Sequence, residues 1–259
     1  MQAMLFPMQL SWRMVIIVAV GVFLASFLDS IAGGGGIISV PTYFFAGLPA
    51  HLALGTNKLS SGIGTTVSTV RFIRKGFVDW HLGIPSIILA LIGAYFGTKL
   101  QLSLDERYLK WLLLLILPVV AVVVLRQKKL PEERGEIDPK KQTLIVLSAS
   151  LIVGAYDGFY GPGTGTFLIL IFCNMAKLDL RTAAGNVKLV NLSSNIGALF
   201  TSMINGKVFL VLGLIGAVFS ILGHYIGSGL AIRDGSKIIR PVILVVLVLL
   251  AIKVITELI

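Results

Sequence analysis

The stretch Asp29-Ser30-Ile31-Ala32-Gly33-Gly34-Gly35-Gly36 stands between two apolar runs of the chain. A related stretch, Asp157-Gly158-Phe159-Tyr160-Gly161-Pro162-Gly163-Thr164-Gly165, stands between two later ones. Glycine clusters permit positive φ angles, so each stretch predicts the end of one helix and the start of another. Because the break recurs, we predict two homologous halves, each with a broken helix.

The composition predicts an all-α polytopic membrane protein. Of the 259 residues, 56% are hydrophobic and only 13% are charged, whereas about a quarter of a soluble domain is charged. Several apolar runs approach the length of about 20 residues that crosses a bilayer. The net charge of +10 comes from Lys and Arg at the ends of these runs, where they orient membrane proteins. We therefore expect a lipid bilayer, and no nucleic acid, as the partner.

Further matches support the duplication. Gly93, Tyr95 and Gly97 recur 130 residues later as Gly223, Tyr225 and Gly227. We assign residues 1–126 to an N-terminal repeat, 127–142 to a charged cytoplasmic linker and 143–259 to a C-terminal repeat. Each repeat contains five hydrophobic segments, at 14–30, 37–49, 52–72, 80–100 and 110–125, then 143–157, 164–176, 182–204, 208–230 and 238–258.

The short second segment of each repeat leaves the topology open between eight and ten crossings. Segments of about 13 residues are short for a span and are typical of re-entrant or broken helices. If they turn back, we expect four crossings per repeat and parallel repeats; if they cross, five crossings and inverted repeats. The basic residues divide more unevenly between the two sides with five crossings, which favours the inverted arrangement.

The helices that follow the glycine breaks are candidate anion sites. A helix N-terminus presents free N–H groups and the positive end of the helix dipole, and transporters direct such ends at anionic substrates. The alternative is close packing of helices through glycine. The candidate backbone donors are Gly34, Gly35 and Gly36 in the first half and Gly163, Thr164 and Gly165 in the second.

A lysine lies inside an apolar helix of each half. Lys58 and Lys188 stand in Gly55-Thr56-Asn57-Lys58 and Gly185-Asn186-Val187-Lys188. A charge there is costly unless it is paired or faces an aqueous cavity, although lysine can also extend to the interface. Polar residues continue the same helix face, so we predict an oxyanion-binding face without carboxylates. Its other members are Asn57, Ser61, Thr65, Asn186, Asn191 and Asn195.

Asp29 and Asp157 precede the two breaks. Each could carry a coupling proton, pair with a lysine or cap the N–H groups of the turn, of which capping is the simplest role. His51, His81 and His224 have no metal-ligand spacing and we interpret them as incidental. No nucleotide-binding or catalytic motif is found. We therefore expect no enzyme activity, no metal and no cofactor.

These features together resemble the TauE/SafE family of bacterial sulfite and organosulfonate exporters. The resemblance rests on the duplicated halves, the Asp29–Gly36 stretch running into Pro41, Gly55-Thr56-Asn57-Lys58 and Gly185-Asn186-Val187-Lys188. It implies transport of sulfur oxyanions such as sulfite, sulfonates or sulfoacetate, and about eight helices. We expect a secondary transporter in the inner membrane of a prokaryote, with alternating access, export, a possible coupling proton or cation and a possible oligomer. An anion channel or a membrane scaffold subunit are the alternatives.

Overall fold

The protein is described here by a computed structural model of residues 8–105 and 134–258. The described part is all-helical and contains no strand. The helices are α1 Trp12–Ala32, α2 Gly36–Phe45, α3 Ala50–Arg74, α4 Trp80–Ser103, α5 Pro139–Phe159, α6 Thr164–Asn174, α7 Leu180–Ile204, α8 Leu210–Asp234 and α9 Ser236–Leu258. Nine of the ten predicted segments coincide with these helices, and segment 110–125 lies outside the described residues.

Local capping explains where several helices begin. The Asp79 and Asp179 side chains accept backbone N–H groups at the starts of α4 and α7, as acidic N-caps do. Asp138 caps α5 in the same way through Lys141 N, and Pro139 takes the first helical position, which suits its fixed φ. Residues 139–142, which we had placed in the linker, therefore belong to α5.

Among the described residues, four helices are long and apolar enough to cross a membrane: α1, α4, α5 and α8. Helices α3 and α7 are equally long, with 25 residues each, but carry the predicted polar faces. Helices α2 and α6 have only 10 and 11 residues. At about 1.5 Å per residue they are too short to cross a hydrocarbon layer of about 30 Å.

Both short helices turn back along the long helix that precedes them. Thr42 of α2 packs beside Gly21 of α1, and Ala46, after α2, shares an apolar cluster with Met14 near the start of α1. In the second half, Gln142 Nε2 near the start of α5 donates to the Ala176 carbonyl after α6 (2.6 Å). Each long helix and its short successor thus form a hairpin whose two ends lie on the same side.

The contacts between helices show that α1 and α5 run in opposite directions. Helix α8 runs parallel to α1 and to α3, and α4 runs parallel to α5 and α7. Helices α3 and α7 are antiparallel, because Gly62 lies beside Asn195 while Thr69 Oγ1 donates to the Lys188 carbonyl (3.2 Å). Opposite directions are what the inverted arrangement predicts. We assumed that short helices that turn back give parallel repeats, and this is wrong. Each long helix and its short successor form a hairpin that begins and ends on the same side, so a returning short helix does not make the repeats parallel.

Equivalent glycines make equivalent contacts in the two halves. The backbone of Gly97 packs against the Ala155 carbonyl and that of Gly227 against the Phe27 carbonyl. Because residues 27 and 155 differ by the same 128 positions as Asp29 and Asp157, the two contacts correspond. The homology of the halves stays a prediction, which these matched contacts support.

Candidate functional site

The first glycine break is stabilised by Asp29. Gly33 ends α1 with a left-handed φ of 76°, a conformation that glycine adopts without strain. The Gly33 N–H donates to the Asp29 carbonyl (2.8 Å), and the Gly35 N–H donates to Asp29 Oδ1 (3.0 Å). Asp29 therefore caps the turn.

The second break is built around Asp157. Gly161 and Gly163 have φ angles of 101° and 83°, and α6 begins immediately afterwards at Thr164. Thr164 Oγ1 donates to Asp157 Oδ1 (3.0 Å), and Ser194 Oγ of α7 donates to Asp157 Oδ2 (2.6 Å). A carboxylate that accepts two hydroxyl hydrogen bonds is fixed in direction as well as position.

The two breaks touch each other. The backbones of Gly33 and Gly165 are in contact, and Gly36 lies against Pro162. Thr166 donates its N–H to the Gly33 carbonyl (3.2 Å) and its Oγ1 to the Ala32 carbonyl (2.9 Å). The first turn of α6 is thus partly occupied by carbonyl groups of α1, so its N-terminus is less free for an anion than we expected.

Lys58 forms an ion pair with Asp157 across the two halves. Its Nζ lies 2.8 Å from Asp157 Oδ2, and both side chains are about 95% buried. The pair joins α3 of the first half to the break of the second. A buried charge has to be paired. Because Asp157 supplies the partner, the Lys58 ammonium group does not need to extend to the membrane interface.

Lys188 makes the corresponding contact in a different form. It is fully buried, and its Nζ donates to the backbone carbonyl of Asp29 rather than to the carboxylate. The Asp29 carboxylate instead faces Asn191 Nδ2 (3.4 Å) and His224 Nε2 (3.8 Å). In both cases a buried lysine of one half therefore contacts an aspartate of the other half. Lys58 binds the carboxylate of Asp157, whereas Lys188 binds the backbone carbonyl of Asp29.

A narrow polar cavity lies between the two breaks. It has about 20 Å³ of space for the centre of a water-sized sphere, and about 10–15 Å³ suffices for one water. The predicted site residues that line it are Gly35, Gly36, Asn57, Lys58, Ser61, Thr164, Asn191 and Asn195, together with Asp29 and Asp157. The structure thus brings together polar residues from α1, α2, α3, α5, α6 and α7.

The other predicted site residues lie outside the cavity lining. Gly34 packs against Val246 and Gly165 against Gly33, while Gly163 supplies the left-handed turn. Thr65 and Asn186 are buried, Asn186 Nδ2 donates to the Thr182 carbonyl within α7 (3.0 Å), and Lys188 Nζ donates to the Asp29 carbonyl. Their roles in the structure are packing, turning the chain and supporting Asp29.

The polar faces of α3 and α7 carry no carboxylate themselves, but Asp29 and Asp157 line the cavity from α1 and α5. Their charges balance those of Lys58 and Lys188 nearby. An anion that entered the cavity would therefore meet a lysine that already has a carboxylate partner, and would have to compete for it. Periodicity along one helix could not reveal this, because the aspartates come from other helices.

Three further polar residues line the cavity: Ser26, Ser39 and His224. Our interpretation of His224 as incidental is wrong, since it is 1% exposed and contacts both Asp29 and Ser68 Oγ (3.0 Å from Nδ1). The glycines around it, Gly223 and Gly227, were the signal that this part of α8 is packed inside the protein. Only the fold brings it beside Asp29.

Comparison with protein families identifies this architecture. The family described as "Sulfite exporter TauE/SafE" matches residues 17–254. The chain belongs to this family. The match covers both breaks, both buried lysines and every residue that lines the cavity, so the resemblance seen in the sequence is confirmed.

Curated relatives of the TauE/SafE chain are membrane transporters by name. The "Probable membrane transporter protein ORF9" of Sinorhizobium sp is 33% identical over 96% of this chain and 95% of its own. The "Probable membrane transporter protein YfcA" of Escherichia coli K12 is 34% identical over 89% and 85%. A "Probable membrane transporter protein" of Haemophilus influenzae is 32% identical over 91% and 92%. No solved structure matches significantly. The chain is therefore a membrane transporter.

Proposed function

We propose that this protein is a secondary transporter that exports a small sulfur-containing oxyanion, of the sulfite, sulfonate or sulfoacetate type, across the inner membrane of a prokaryote. The observation that carries the proposal is the narrow polar cavity in which Lys58 of one half meets Asp157 of the other. Amide and hydroxyl groups surround this ion pair. The family description supports the class of anion.

The substrate oxygens compete with Asp157 for the Lys58 ammonium group. Charge-assisted hydrogen bonds from an ammonium to an oxyanion are about twice as strong as neutral ones. Asn57, Asn191, Asn195 and Ser61 line the same space and supply amide and hydroxyl donors. These donors converge on one small cavity, which in this structure has space for about one water, so a compact anion has to widen it by separating Lys58 from Asp157.

Displacing Asp157 from Lys58 changes a contact between the two halves, which is the step that alternating access needs. Asp157 keeps its hydrogen bonds from Thr164 and Ser194 when Lys58 turns to the substrate. Anion binding is thereby linked to the interface between the breaks. A ligand shifts such an equilibrium only through contacts that differ between the two states.

Lys188 acts through Asp29 in this proposal. Its Nζ holds the Asp29 backbone at the turn that shapes one wall of the cavity. Its positive charge also favours an anion nearby, but less directly than that of Lys58. We therefore assign it a positioning role.

A proton is the proposed coupling ion, with Asp29 and Asp157 as its carriers. Asp29 Oδ2 faces His224 and Asn191, while Oδ1 accepts the Gly35 N–H. A membrane carboxylate that faces a polar cavity is typical of proton relays. Sulfite uptake into proteoliposomes should rise when a pH gradient is imposed, and Asp29→Asn should remove this dependence.

Reconstituted flux tests the proposed function. Purified protein in liposomes should transport radiolabelled sulfite with saturation and should exchange internal for external sulfite. A flux that rises linearly with concentration and shows no exchange would mean an anion channel. Absence of flux for sulfite, sulfonates and sulfoacetate alike would overturn the proposal in favour of a scaffold.

A further inference from the structure

A groove runs along the outer face of the protein between α3 and α8. Its volume is about 840 Å³. Its apolar walls come from Ile63, Val67 and Val70 on α3 and from Ile221 and Ile232 on α8. Val70 is 39% exposed and Ile221 is 38% exposed, so both apolar walls are accessible from outside the protein.

One end of the groove is strongly basic. Arg71, Arg74 and Lys75 line it at the C-terminal end of α3, and Arg74 and Lys75 are exposed. Among the described residues that line the groove, none is acidic. An anionic group at this end therefore meets several positive charges and no repulsion from the groove.

The Arg71 side chain is held in place beside Tyr225. Its guanidinium lies 4.4 Å from the centre of the Tyr225 ring, a cation–π distance, and Nη1 donates to the Tyr225 carbonyl. A guanidinium fixed in this way loses little freedom when it binds a phosphate. The groove thus has one cation held by neighbouring groups, Arg71, and two exposed ones, Arg74 and Lys75.

We propose that this groove binds an anionic phospholipid. The phosphate contacts Arg71, Arg74 and Lys75, and an acyl chain lies along the apolar walls. From residue 63 to residue 74 the α3 wall extends about 16 Å at 1.5 Å per residue, which suits an acyl chain. Basic pockets between membrane helices are known to take anionic headgroups.

The lipid, rather than a free phosphate, is the occupant that the combined chemistry fits. A free phosphate would use the basic end and leave the apolar walls without a ligand. A second copy of the chain is the other possible cover for the walls, and the Val70→Trp variant below distinguishes it from a lipid. An amphipathic anion satisfies both the basic end and the apolar walls of the groove.

Native mass spectrometry of the purified full chain tests this proposal. The protein is titrated with phosphatidylglycerol or with phosphatidylcholine of the same acyl chains, and with inorganic phosphate. We expect phosphatidylglycerol to bind at least tenfold more tightly than phosphatidylcholine. Arg74→Gln and Lys75→Gln should each weaken it about fivefold, which corresponds to about 1 kcal/mol per basic residue.

Two further variants separate binding in the groove from general charge effects. Val70→Trp keeps every charge but fills the exposed wall, and should also weaken phosphatidylglycerol binding about fivefold. Lys99→Gln is the matched control, because Lys99 lies over the Tyr95 ring (5.8 Å) outside the groove, and it should leave binding unchanged.

Three results would overturn the proposal. Equal binding of the two lipids excludes recognition of the anionic headgroup. Competition by inorganic phosphate at equal concentration excludes a role for the apolar walls. A Val70→Trp variant that changes the oligomeric state but retains phosphatidylglycerol assigns the groove to a second copy of the chain.

Discussion

Lys58 Nζ lies 2.8 Å from Asp157 Oδ2, and this ion pair links the polar helix of one half to the glycine break of the other. Removing one partner of a buried pair leaves the other charge uncompensated, which costs about 3–5 kcal/mol. Lys58→Gln should therefore lower the stability of the protein by about this amount, measured by thermal unfolding in detergent. The control is Lys99→Gln, an exposed lysine, which should leave the midpoint unchanged.

The double variant Lys58→Gln/Asp157→Asn should recover most of the stability that the single variant loses. Neither charge is then left unpaired, and the asparagine at 157 can accept one of the two hydroxyl groups of Thr164 and Ser194 through its oxygen and donate to the other through its Nδ2. Unfolding midpoints of the single and double variants provide the measurement. If the double variant is no more stable than Lys58→Gln, the pair does not act as we describe.

Lys188→Gln should affect sulfite binding less than substitution of Lys58. Lys188 does not line the cavity, and its Nζ donates to the Asp29 carbonyl. Calorimetric titration of sulfite should show a smaller loss of affinity, together with a lower unfolding midpoint because a buried hydrogen bond is broken. A loss as large as that of the Lys58 variants would place Lys188 in direct contact with the anion.

Gly165→Ala should disturb the contact between the two breaks. A Cβ atom at this position would overlap the backbone of Gly33, and such overpacking typically costs about 1–3 kcal/mol. Gly62→Ala is the matched control, since its Cβ would lie 3.7 Å from Asn195 Cβ, an ordinary contact. We expect a lower unfolding midpoint for Gly165→Ala alone; equal midpoints would contradict the close contact.

Cysteine labelling tests the hairpins. In a Cys173→Ala background, Leu10→Cys and Pro49→Cys should react with an impermeant reagent from the same side of the membrane, because α2 returns along α1. Lys75→Cys should react from the opposite side, since α3 separates it from Pro49. Labelling of Leu10→Cys and Pro49→Cys from opposite sides would show that α2 crosses.

Hydropathy and glycine placement predicted the helices well because each depends on local sequence. Apolar runs and the glycines at 33 and 163 act within a few residues of themselves, as do the Asp79 and Asp179 caps that the structure shows. Lys58 and Lys188 were identified for the same reason, since a charge inside an apolar helix needs a polar surrounding.

Pairing of an aspartate with a lysine was one of three roles that the sequence offered, but which aspartate meets which lysine could not be predicted, because the partners come from distant helices. Asp157 of α5 and Lys58 of α3 meet only in the folded protein, where the two halves come together. His224 had no repeat counterpart and no motif, yet it lies beside Asp29 in the folded protein. The direction of α2 was also open in the sequence, because its length favours a returning helix while the distribution of basic residues favours a crossing one.

The proposed transport function requires that sulfite binds at the Lys58–Asp157 pair. Isothermal titration of sulfite to the wild-type protein and to Lys58→Gln/Asp157→Asn tests this directly, with unfolding midpoints recorded on the same samples. We expect at least a tenfold loss of affinity in the double variant at a midpoint close to that of the wild type. Unchanged sulfite affinity in a well-folded double variant would contradict the proposal that this cavity binds the transported anion.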